Sequence, residues 1–337
     1  MKTAIFDIFI YILFAVLCLA GAKVKKVNGI NDLLDRLNNF RGPLAIGIII
    51  GHVVRYENTL LFAFGKEMIC SVAFFFFLSA YGMTLSVANN KNYLNRGFII
   101  KKPFYILIII ILISVINIVV DAVIPLDLHY VTNLNIEFAL NCVNWYLWEL
   151  IIFYFVFYVG FKLKKLQTIF IVSMTVALTV FAYKKDFSSE WFTSTIGFPA
   201  GIIFAKYPNI IIKFCKSVYA KIIYVILMMV GVSSFLINSD DFYTAVITRN
   251  AICLAFIVTL TWISRYLVLA NNRVVKLLNK ISLELYICQF VWLSFASAIG
   301  FSYPIRIIIV LICTFATAIV THPIFAKVKK KLKQVNI

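Results

Sequence analysis

Eleven stretches of this chain come close to the roughly 20 consecutive apolar residues that an α-helix needs to cross the hydrocarbon core of a bilayer. They lie at about 3–21, 42–58, 68–88, 103–121, 144–161, 167–183, 191–205, 222–238, 250–265, 281–299 and 304–323 of 337 residues. A water-soluble core cannot hide that much apolar surface: hydrophobic residues make up 63% of the sequence, against roughly 45–50% in soluble domains. Backbone groups in lipid must be hydrogen-bonded within their own segment, and the period-two alternation of a membrane barrel is absent, so each stretch is expected to be a helix. The fold class is therefore all-α, a polytopic integral membrane helical bundle. Short connections join the spans and no Pro/Ser/Gly-rich linker interrupts them, which points to one membrane domain.

A formal net charge of +18 would suggest a nucleic-acid partner in a soluble protein. In a membrane protein the excess of Lys and Arg on cytoplasmic loops accounts for it, and no nucleic acid is expected. With the spans above, twenty-five of the 32 Lys and Arg fall on one side of the membrane, leaving only Lys2, Arg55, Lys66, Lys184, Lys185, Arg249 and Arg306 on the other. That asymmetry predicts a cytoplasmic C-terminus and an outside N-terminus, in agreement with an odd number of spans. Ala20-Gly21-Ala22 resembles a signal-peptidase site. Cleavage there would leave Lys23, Lys25 and Lys26 outside, and Asp7 and the weak n-region fit a signal peptide poorly, so the first stretch is read as a retained helix. The seven cysteines, Cys18, Cys70, Cys142, Cys215, Cys253, Cys288 and Cys313, have neither CxxC nor metal-ligand spacing. They read as small packing residues, and no metal is expected.

An ionisable side chain inside a span costs about 2.5–3.5 kcal/mol on insertion scales, so each one kept there is a functional candidate. His52, Glu149 and Glu284 qualify, with Arg41, Arg55 and Glu67 near span ends. Arg41 opens its span, and eleven residues at about 1.5 Å each put His52 roughly 16 Å deeper, near mid-bilayer. Eleven residues are also about three turns, so both side chains lie on one helix face. The competing reading is a histidine satisfied by a neighbouring helix. Trp145, Trp148 and Glu149 share a face by i, i+3, i+4 spacing. Interfacial Trp needs no function, but Glu149 lies a turn deeper and needs a partner, which could be His52 or a cation near the span ends. In Phe74–Gly82 the phenylalanines read as packing. Ser79 could hydrogen-bond a substrate or its own backbone. Lys91, Arg96, Lys101 and Lys102 crowd a short loop ending at Pro103, which suits either anionic lipid headgroups or a phosphate-rich nucleotide cofactor.

These residues resemble the acyltransferase-3 family of membrane O-acyltransferases, from about residue 36 to 322. Arg41-Gly42-Pro43…Gly51-His52 is similar to the family's Arg-x10-His pattern, and Phe75–Gly82 to its FFxLSGY segment, with Ala80 for Gly. Trp145-Tyr146-Leu147 resembles its WFL element, Gly197–Gly201 its late Gly-containing span, and Ile281–Ile287 its closing ISxExYL run. Two departures stand out. Gln289 occupies the place of the usual His, and Arg96 with Lys102 only approximates the closely spaced arginines before a Pro.

The resemblance implies a ten-helix core, making 3–21 one extra N-terminal transmembrane helix. The expected organisation is that helix and a cytoplasmic linker over 1–35, the membrane domain over 36–326 and a basic cytoplasmic tail over 327–337. It further implies an O-acyltransferase of the cell membrane, moving an acyl group, usually acetyl, from cytosolic acetyl-CoA to a hydroxyl of a cell-envelope or exported polysaccharide. On this reading His52, Glu149 and Arg41 are the catalytic candidates. Arg41, Arg96, Lys101 and Lys102 would hold the CoA phosphates, and Ser79, Tyr81, Trp145, Trp148 and Glu284 would line the acceptor site. The partners implied are acyl-CoA, a carbohydrate acceptor, membrane lipids and other envelope-glycan biosynthesis proteins. The rival class is a transporter or flippase for a glycan or lipid-linked precursor, because buried charge on a bundle axis also binds cargo. No inverted repeat is visible to favour it.

Overall fold

The computed structural model of the chain describes residues 2–55, 57–90, 92–123, 145–208, 217–219, 222–226, 228–229 and 242–334. Helices dominate. In chain order they are α1 (Lys2–Leu19), α2 (Ile30–Asn38), α3 (Arg41–Val54), α4 (Phe62–Asn89), α5 (Arg96–Val123), α6 (Trp145–Lys162) and α7 (Gln167–Lys184). There follow α8 (Glu190–Thr193), α9 (Gly197–Lys206), α10 (Arg249–Ser264), α11 (Arg273–Lys280), α12 (Ser282–Ala298) and α13 (Tyr303–Gln334). Tyr243–Thr248 forms a π-helical entry to α10. Among the described residues the departure from all-α is a two-residue antiparallel ladder of β1 (Lys23–Val24) and β2 (Leu267–Val268).

Among the described residues six helices are long and apolar enough to cross a membrane, or up to seven if the pair α11 and α12, bent by 74°, is one span. The six cover α4, α6, α7 and α10 and the apolar parts of α5 and α13. A multi-pass membrane protein follows, but not the full set of eleven spans. The segment expected over 42–58 is a 14-residue helix that stops before Arg55 and Glu57, and both of those form ion pairs, with Glu190 and Arg306. The segment expected over 191–205 is interrupted between α8 and α9. The stretch 222–238 lies largely outside the described residues.

The break before α9 has a visible cause. Backbone groups freed inside a membrane bundle must find partners there, and the Asn250 side chain of α10 supplies them. Its Oδ1 accepts from Ile196 N at 3.0 Å, and its Nδ2 donates to the carbonyls of Phe192 at 2.7 Å and Val246 at 2.8 Å. Just beyond the break, Gly197 lets α9 lie against α4, because a Cβ there would overlap the Ala73 carbonyl. Small residues permit such backbone approach between membrane helices.

The axis of the bundle is α4, whose Phe74, Phe76, Phe77 and Tyr81 are among the largest fully buried side chains. Outer helices show apolar faces instead: Ile111 and Val115 on α5, Ile169 and Val176 on α7, and Ile312 and Val320 on α13 are exposed, as a lipid-facing surface requires. The N-terminal helix is tied in by a polar knot. Asp7, 1% exposed, accepts from Thr59 Oγ1 (2.6 Å), Tyr303 Oη (2.8 Å) and Leu60 N (3.0 Å). A second knot centres on buried Arg36, which donates to the carbonyls of Lys25, Lys26 and Ser264 and pairs with Asp32. Its bonds fix the connection from α1 against the end of α10.

Candidate active site

Two cavities are stacked along α4, at opposite ends of the bundle. The inner turns of α4 and the face carrying Phe75, Ser79, Gly82 and Ser86 line a basic cavity of about 640 Å³, together with Arg41, Lys101, Lys102, Tyr146, Tyr154 and Tyr286. The N-terminal half of α4, from Phe62 to Val72, lines a second cavity of about 580 Å³ that holds His52, Arg55, Trp145, Glu190, Arg249 and Tyr286. A third, of about 370 Å³, adjoins the basic cavity through Arg41, Tyr105, Ser282, Leu283 and Lys329.

The start of α3 is held where Arg41 can serve two of these spaces. Gly42 N donates to Asn279 Oδ1 at 2.6 Å, and a Cβ on Gly42 would lie 2.5 Å from that of Leu278. Close approach at this glycine brings the bend between α11 and α12, with Ser282 and Leu283, beside Arg41. From there α3 runs from one cavity to the other and delivers His52 to the second.

The basic cavity draws its charge from Lys101 and Lys102 in the first turns of α5, together with Arg41 of α3 and Lys329 of α13. Asn95 caps α5 by accepting from Phe98 N at 3.2 Å, so Lys101 and Lys102 sit on α5 and not on a loop before Pro103. Lys102 Nζ stands 5.6 Å from the Tyr154 ring centre and 6.0 Å from those of Tyr93 and Phe98, within cation–π range. Burial pushes the Tyr93 phenol up, keeping it a neutral donor at the cavity wall. The side chain of Arg96, which opens α5, lies outside the described residues, as does Lys91.

In the second cavity the His52 ring meets Phe290 edge to face, centroids 5.3 Å apart. Trp145 shares the space, and Arg55 pairs with Glu190 at 3.5 Å. Between the cavities lies a cluster of rings: Tyr286 is 5.0 Å from Tyr146, 6.4 Å from Phe75 and 6.4 Å from Phe290.

The sequence-derived candidates thus divide. Arg41, Ser79, Lys101 and Lys102 meet in the basic cavity, and His52 and Trp145 in the other. Glu149 is 4% exposed with no partner on its Oε2, and among the described residues no hydrogen bond joins it to His52. Tyr81 is buried against Phe77, ring centroids 5.5 Å apart, its hydroxyl directed to the Ile30 carbonyl. Neither Tyr81 nor Trp148 lines the three cavities described. Glu284 lines the third, where it bonds His322 Nδ1 at 2.7 Å. Sequence reasoning passed over that His322 partner, and also Tyr286, although Tyr286 stands in the quoted Ile281–Ile287 run. Gln289 is fully buried and donates to the Tyr286 carbonyl at 2.7 Å. No group of three or more His, Cys, Asp or Glu suited to a metal occurs among the described residues.

Comparison with known proteins gives one result. The acyltransferase domain of the acyltransferase-3 group matches residues 34–323, well over half of the chain. No curated protein and no solved structure matches.

Proposed function

The chain belongs to the acyltransferase-3 family, and from that premise we propose that it moves an acetyl group from acetyl-CoA to a hydroxyl of a cell-envelope or exported polysaccharide. The observation that carries the reading is the pair of stacked cavities, one rimmed with Lys and Arg and the other holding His52, with α3 spanning the distance between them. Phosphates pair strongly with Arg and Lys, so the CoA moiety lies with Arg41, Arg96, Lys101 and Lys102, and its pantetheine arm extends past Ser79 toward Tyr286. The Lys/Arg asymmetry of the loops supports a cytoplasmic side for this cavity and the C-terminus, with the N-terminus outside.

The acceptor sugar enters the His52 cavity, where Trp145 offers a flat apolar face. His52 takes the hydroxyl proton as general base, or carries the acyl group transiently. Segment 1–35 then serves as an added anchor, residues 36–326 as the transferase and 327–337 as a basic tail.

The test uses purified protein in lipid nanodiscs, labelled acetyl-CoA and envelope glycan from cells lacking the chain. Label should pass to glycan with the wild type and not with His52→Ala, at equal expression and thermal stability. Undiminished transfer by His52→Ala would discard the assignment of the histidine, and movement of glycan without label would discard the transferase reading.

A further inference from the structure

The side chain of Tyr286 has an unusual position. It belongs to the linings of both the basic cavity and the His52 cavity, yet the residue is only 3% exposed. Rings surround it: Tyr146 and Phe75 on the donor side, and Phe290, which itself touches His52, on the other. Its hydroxyl has no hydrogen bond among the described residues. The oxygen is not sealed away, since it is not among the fully buried side-chain atoms that lack a partner, so the O–H opens onto cavity space where it is available to a ligand. Backbone contacts fix the residue in place, since its carbonyl accepts from the buried Gln289 side chain. The ring is held and the hydroxyl is left over, at the level where the two cavities meet.

We propose that Tyr286 is a further catalytic residue, whose O–H donates to the thioester carbonyl oxygen as charge develops there. The inference rests on the acyl-transfer reading above. The acceptor oxygen bonds to the carbonyl carbon while its proton passes to the His52 imidazole, and the carbonyl electron pair moves onto the oxygen held by Tyr286. Collapse re-forms the carbonyl and breaks the C–S bond, and the imidazolium returns its proton to the departing CoA thiolate. No other reactant is needed. A donor fixed before the reaction costs no reorganisation when the oxyanion forms, and removal of one such donor typically lowers kcat about 10²–10³-fold.

The experiment compares wild type, Tyr286→Phe and protein carrying 3-fluorotyrosine at 286, using labelled acetyl-CoA and envelope glycan. Tyr286→Phe keeps the ring and should lower kcat about a hundredfold or more while leaving the KM for acetyl-CoA and the thermal stability unchanged. The 3-fluoro ring keeps the shape but makes the hydroxyl more acidic, so the alkaline limb of kcat should move to lower pH. Wild-type kcat in Tyr286→Phe overturns the proposal, as does an unmoved pH profile in the fluorinated protein, which also serves if the Phe variant fails to fold. No label on glycan with the wild type would instead overturn the acyl-transfer reading itself.

Discussion

Asn250 offers the sharpest test of how the bundle holds a broken helix. Replacing it with Leu leaves the chain equally bulky but removes the partners of the Ile196 N–H and the Phe192 carbonyl, at 3.0 and 2.7 Å. The Val246 carbonyl is four residues earlier on the same helical stretch and keeps its backbone partner, so it adds little. Two orphaned groups at about 1–3 kcal/mol each give a loss of roughly 2–6 kcal/mol. At about 2–4 °C per kcal/mol, a scale taken from soluble domains, the midpoint should fall by roughly 5–20 °C. The assay is thermal unfolding of purified protein in a mild detergent. Asn250→Asp, which can still accept from Ile196 N but cannot donate to Phe192, should fall between wild type and Leu. A Leu variant melting with the wild type would refute the idea that this one side chain satisfies the break.

Three further outcomes are expected. Arg41→Gln should raise the KM for acetyl-CoA about tenfold, by loss of a charge-assisted bond to phosphate, with kcat little changed; steady-state kinetics decide it. Gly197→Leu should abolish recovery of monodisperse protein, because the new side chain meets the α4 backbone at Ala73, and size-exclusion chromatography reads this directly. Asp32 is held below the usual carboxylate range, chiefly by its bond to Arg36 and then by the Asn28 N–H. A lowered carboxyl stabilises the fold fully above its unfolded value and loses that contribution as pH falls from there through the lowered folded value. Asp32→Asn should therefore flatten the acid end of a stability–pH curve, most visibly at low salt because the side chain is 34% exposed.

Local periodicity made part of the site readable. Arg41 and His52 stand about three turns apart on one helix, and Phe75, Ser79 and Gly82 share a face of another, so helical geometry alone grouped them. The class of protein was equally plain from apolar length. Pairings across the chain were hidden, because nothing near Glu284 announces His322, 38 residues on. The interruption before α9 falls at Thr193-Ser194-Thr195, ahead of Gly197 and Pro199, a polar run within 191–205 that marks a break locally, whereas the side chain that stabilises it is 54 residues from Ile196. Tyr286 was overlooked because, in an apolar helix, a tyrosine reads as packing. Its distinction comes only from the neighbours that the bend after α11 gives it.

The stacked arrangement also bears on the electrical integrity of the membrane. Hollows entering a bilayer protein from both ends would, if continuous, conduct protons and dissipate the gradient the cell maintains. Phe75, Tyr146, Tyr286 and Phe290 cluster beside the level at which the two linings share Tyr286. A hydrated ion passing that level would have to shed water among aromatic rings, which is costly for a charge.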